Sequence, residues 1–110
     1  MNTSDIDEFL SENHNVTEIV LACLVPAGTG ADIHENRPSH GLAFNCDGEK
    51  RYEFKDGTSL TVKKDTIIYL PKNSCYRVAT VLPGDTFCIN FQASDDKNSP
   101  PAVFRIRNSE

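Results

Sequence analysis

Four turn signals, Asp47-Gly48, Asp56-Gly57, Pro71-Lys72-Asn73 and Pro83-Gly84, cut residues 37–91 into short segments of alternating apolar and polar side chains. Segments bounded this tightly hold strands of about four to eight residues and leave no room for a helix of about ten or more. Strands are expected at residues 17–25, 41–46, 50–54, 59–63, 67–70, 75–81, 86–92 and 102–107. Asp56-Gly57 reads as a two-residue hairpin turn, because a turn with positive φ favours that pair. Residues 26–30 are a break, 32–39 a polar loop or irregular edge strand, and 93–101 a polar loop ending in two prolines. Residues 1–16 are acidic, with Ile6, Phe9 and Leu10 near helical spacing, and form a short helix or an arm lying on the body. The remainder, 17–110, is one all-β domain with the strand spacing of an antiparallel barrel or sandwich.

Alternation assigns faces, since successive strand residues point to opposite sides. The sets Phe87-Ile89-Phe91, Tyr76-Val78-Thr80, His40-Leu42-Phe44 and Phe104-Ile106 are expected to face inward together. An apolar wall with sparse hydroxyl and imidazole groups is the usual composition of a small-molecule site. His40, Tyr52 and Tyr76 are candidate ligand contacts, with Phe44 and Phe91 as pocket wall or core. Packing alone also explains the aromatic rings, and His34 is a weaker loop candidate.

The formal charge of −5, with basic residues scattered, makes this domain alone a poor binder of a phosphate backbone such as DNA. No apolar run approaches the roughly 20 residues of a membrane span. The acidic start lacks a basic signal-peptide region, so a cytoplasmic location is expected. Cys23, Cys46, Cys75 and Cys88 show no Cys-x-x-Cys spacing and read as reduced residues of the core or its margin. A zinc site would need them clustered in space.

The runs His40-Gly-Leu-Ala-Phe-Asn-Cys-Asp-Gly48, Tyr52-Glu-Phe54 and Leu60-Thr-Val-Lys-Lys-Asp-Thr-Ile-Ile-Tyr-Leu-Pro71-Lys-Asn-Ser-Cys-Tyr76 resemble the cupin sensor domain of AraC-type bacterial transcription regulators. Arg37-Pro38 and Cys88-Ile-Asn-Phe-Gln92 fit the same pattern. The resemblance implies a double-stranded β-helix and places Arg37 at the mouth of a ligand pocket, where its fork geometry suits a carboxylate. Against the second cupin motif, Asp65 and Asn73 stand at the two glycines, Pro71 matches, and Tyr76 replaces the metal-binding histidine. Of the first motif only His40 is present. A neutral phenol is a poor ligand for a divalent metal beside imidazole, so no metal and no cofactor is expected.

The resemblance implies a metal-free effector-binding and dimerisation domain that is not an enzyme. Its partners would be a small molecule and a second copy, with DNA reached only through a C-terminal domain outside this sequence. Two alternatives stay open: a stand-alone metal-dependent cupin enzyme such as an isomerase or dioxygenase, and a packed barrel acting only in protein association.

Overall fold

The computed structural model describes residues 16–25, 31–93 and 99–105. The expected N-terminal arm, the break at 26–30 and the end of the last strand lie outside the described residues. Among the described residues nine strands follow in order: Val16–Val25 (β1), Ala31–His34 (β2), His40–Asn45 (β3), Glu49–Phe54 (β4), Ser59–Val62 (β5), Thr66–Leu70 (β6), Tyr76–Leu82 (β7), Thr86–Ala93 (β8) and Ala102–Arg105 (β9). Each expected strand has a counterpart, and the ambiguous 32–39 segment divides into edge strand β2 and a loop carrying Arg37. All pairings are antiparallel, in a five-stranded sheet ordered β1-β8-β3-β6-β9 and a four-stranded sheet ordered β2-β7-β4-β5. Among the described residues no helix is long and apolar enough to cross a membrane.

Local chemistry explains the turns. The Asp56-Gly57 hairpin has three loop residues, not two: Gly57 N–H donates to the Phe54 carbonyl at 3.0 Å, and Phe54 N–H to the Thr58 carbonyl at 2.8 Å. Gly57 alone takes positive φ, at 98°. A type I turn closed by a left-handed glycine needs only that one. Asp56 Oδ1 accepts the Thr58 N–H at 2.8 Å and holds the corner. Asp65 and Asn73, which stand at the cupin glycine positions, have φ of 63° and 69°. Asp and Asn reach that region more cheaply than other residues with a Cβ. The backbone of the motif survives without its glycines.

One face assignment is wrong for much of the larger sheet. In register, Gly41, Ala43 and Asn45 of β3 pair with Asn90, Cys88 and Thr86 of β8 and with Leu70, Ile68 and Thr66 of β6. Ala43, Ile68 and Leu70 belong to the core between the sheets, with Tyr52, Phe54, Val62 and Tyr76 of the smaller sheet. The opposite face therefore carries His40, Leu42, Phe44, Phe87, Ile89 and Phe91. On that face Tyr69, Phe91 and Phe104 form a second buried cluster, with Leu42 and Ile67 packed against it. Val103, not Phe104, is the β9 residue that meets the inter-sheet core. The larger sheet is apolar on both sides, so apolar character alone does not identify the inside. The smaller sheet alternates as expected, with Tyr52, Tyr76 and Val78 inward.

Candidate functional site

Between the sheets lies a cavity of about 440 Å³, within the range of small-molecule sites. The inward residues of β3 and β8 are small or polar because this space lies against them. Ala43, Cys88 and Asn90 line it from the larger sheet, and Tyr52, Tyr76 and Val78 from the smaller one.

Arg37 occupies one end. Its loop is pinned by two backbone bonds, Arg37 N–H to the Ser74 carbonyl (3.2 Å) and Asn73 N–H to the Arg37 carbonyl (2.8 Å). The guanidinium spans both sheets. Nη1 donates to the Tyr76 hydroxyl at 2.7 Å, Nη2 to Asn90 Oδ1 at 2.6 Å, and Nε to the Ser39 carbonyl at 3.2 Å. Gly41 makes the room: a Cβ there would lie 2.5 Å from Nη2 and 3.0 Å from Cζ. Tyr76 is wedged among rings, stacked with His34 at 5.0 Å and tilted against Phe54 and Tyr52 at 5.3 and 5.7 Å. Burial raises the Tyr76 pKa, partly opposed by Arg37, and burial also raises that of Tyr52. Both phenols keep their protons at neutral pH.

Lys50 marks the other end. Gly41 and Asn45, which flank the two cations on β3, are four residues apart, about 13 Å along the strand. Lys50 Nζ donates to the Gly84 carbonyl (3.2 Å), to Thr86 Oγ1 and to Asn45 Oδ1 (3.5 Å). Asn45 Nδ2 in turn donates to the Gly48 carbonyl at 2.9 Å. Desolvation lowers the Lys50 pKa, while the charges of Cys88, Asp85 and Cys46 act to raise it.

Three of the six residues expected at the ligand, Arg37, Tyr52 and Tyr76, line this cavity. The other three do not. His40 is 1% exposed on the far face of the larger sheet, where Nδ1 shares a 2.8 Å hydrogen bond with the Tyr69 hydroxyl and the ring stacks on Phe91 at 5.3 Å. Phe44 lies on the same far face, in register with Phe87 and Ile67. Gly41, Lys50 and Asn90 went unnamed from sequence. The signal for Gly41 and Asn90 was the small and polar alternation of β3 and β8 opposite the apolar set; Lys50, on β4, carried none.

No family model matches the chain, and no curated protein matches it. Solved structures do. YhaK from Escherichia coli superposes with a TM-score of 0.71 at 12% identity, over 87% of this chain and 46% of that one. A cupin-2 domain containing protein from Shewanella frigidimarina gives 0.56 at 16%, over 84% and 94%. Protein NMB1881 from Neisseria meningitidis gives 0.59 at 20%, over 78% and 95%. The fold is that of the cupins.

The residues of this cupin-fold chain do not fit the metal that the motif pattern implies. Tyr76 stands at the histidine position, and its oxygen already accepts from a guanidinium whose charge repels a cation. His40 faces away from the cavity. Among the described residues no three His, Cys, Asp or Glu side chains group to hold a metal ion.

Proposed function

We propose that the chain is a small-molecule-binding module of the effector-sensing kind found in AraC-type regulators, acting by occupancy of its cavity rather than by turnover. The observation that carries this is the unfilled space between the sheets, with Arg37 held at its mouth by Tyr76 and Asn90. A barrel serving association alone has no need of such a space. A metal-dependent isomerase or dioxygenase needs a cluster of ligands, and none groups among the described residues. In the sensing role the chain pairs with a second copy and leaves DNA contact to a separate domain.

A thermal-shift screen of small metabolites tests the reading. At one hundred times its dissociation constant a ligand stabilises by about 2.7 kcal/mol, which raises Tm by roughly 10–20 °C in a domain of this size. Cys88→Leu projects bulk into the middle of the cavity, so a true hit should lose most of its shift there. Hits that stabilise Cys88→Leu equally would place the ligand elsewhere on the molecule.

A further inference from the structure

Hydrogen-bond bookkeeping at Arg37 constrains the ligand's chemistry. Guanidinium groups only donate. Because Nη1 donates to the Tyr76 oxygen, that hydroxyl's own proton is left to point elsewhere. Because Nη2 donates to Asn90 Oδ1, the amide is fixed with its two Nδ2 hydrogens turned away from the arginine. Arg37 itself has five N–H groups and uses three on these partners and the Ser39 carbonyl. The remaining hydrogens of this trio are all donors.

Charge points the same way. Arg37 and Lys50 are both half-buried beside the cavity, and all of their hydrogen-bond acceptors are neutral. Among the described residues neither forms an ion pair with a carboxylate. Asp32 and Glu35 belong to the exposed rim, and Asp85 acts on Lys50 from beyond ion-pair distance. Two half-buried cations with no carboxylate in ion-pair contact among the described residues are costly unless something supplies one.

We propose that the ligand is an organic anion, with a carboxylate bound by Arg37, Tyr76 and Asn90 and a mainly apolar body lying along Ala43, Val78 and Cys88 toward Lys50. This rests on the cavity being the binding site. Lys50, its three protons engaged, acts through its field and not by direct contact. The carboxylate is the missing acceptor for the donor cluster, and charge-assisted bonds of this kind are about twice as strong as neutral ones.

Asn90→Asp gives the test a signature that loss of structure cannot imitate, because it supplies an internal carboxylate to Arg37. Straight-chain monocarboxylates of about four to ten carbons are titrated beside their primary amides, which match them in shape without charge. In the wild type the best acid should bind at least about tenfold more tightly than its amide. In Asn90→Asp the acids should lose about tenfold or more while the unliganded Tm rises by about 5 °C, as an ion pair replaces a neutral bond. Lys50→Met should weaken acids several-fold and leave amides unchanged. Amides binding as well as acids would overturn the anion and leave the cavity reading standing. Acids binding Asn90→Asp as well as the wild type would overturn it too. If neither series binds the wild type, the anion proposal falls, while the thermal-shift screen with Cys88→Leu decides the cavity reading separately.

Discussion

Gly84→Ala is expected to destabilise the protein by roughly 3 kcal/mol or more, lowering Tm by about 15 °C in a domain of this size. The Asp47-Gly48 and Pro83-Gly84 turns meet backbone to backbone at one end of the sandwich. A Cβ on Gly84 would lie 2.0 Å from the Asp47 carbonyl oxygen and 2.6 Å from Gly48 N. Neither can swing aside as a side chain would. The turns must part, and the bonds from Cys46 N–H to the Asp85 carbonyl (2.9 Å) and from Lys50 to the Gly84 carbonyl stretch with them. Gly48→Ala meets the same obstacle from the other side, 2.3 Å from the Leu82 carbonyl oxygen, and adds the strain of a φ of 76°. Urea denaturation measures both variants. A Gly84→Ala protein within about 0.5 kcal/mol of wild type, the range of an ordinary surface substitution, would mean that the turns are not in contact.

Gly41→Ala is expected to act on binding more than on folding. The obstacle here is the end of a flexible side chain, so Arg37 can retreat. Its guanidinium then leaves Asn90 Oδ1, which would itself lie 3.2 Å from the new Cβ. Loss of one charged hydrogen bond costs the unliganded fold about 1–2 kcal/mol. Ligand affinity falls further, by about a hundredfold, because the recognition group is displaced while every polar atom of the site is still present. Calorimetric titration of a screened ligand, beside the melting curve of the same sample, separates the two effects. An unchanged affinity would remove Arg37 from the site.

The sequence made the architecture legible because turn chemistry is local. Asp47-Gly48, Asp56-Gly57 and Pro83-Gly84 each carry their conformational preference within two residues, so strand limits followed to within a residue or two. Which face looks inward is not local. On β8 Phe87, Ile89 and Phe91 alternate with Cys88 and Asn90, and side-chain character alone favours the aromatic set as the interior. Two facts of the assembled fold invert that choice. The far face of the larger sheet holds a buried cluster of its own around Tyr69, and the inter-sheet space is kept partly open, with Ala43 of β3 and Thr86, Cys88 and Asn90 of β8 along it. Arg37, Tyr52 and Tyr76 were legible because a cation and two phenols are conspicuous among apolar neighbours. Asn90 became visible only when the β3–β8 register set it beside Gly41, under the guanidinium.

Nuclear magnetic resonance of the isotope-labelled protein, titrated with a ligand that passes the screen, reports whether the cavity is the binding site. The Asn90 side-chain amide and the Arg37 Nε–H are expected to shift together with the backbone amides of Ala43, Val78 and Cys88, which converge on the cavity from three strands. Shifts confined to the far face, around Leu24, Phe87 and His40, with Arg37 and Asn90 unmoved, would contradict that reading.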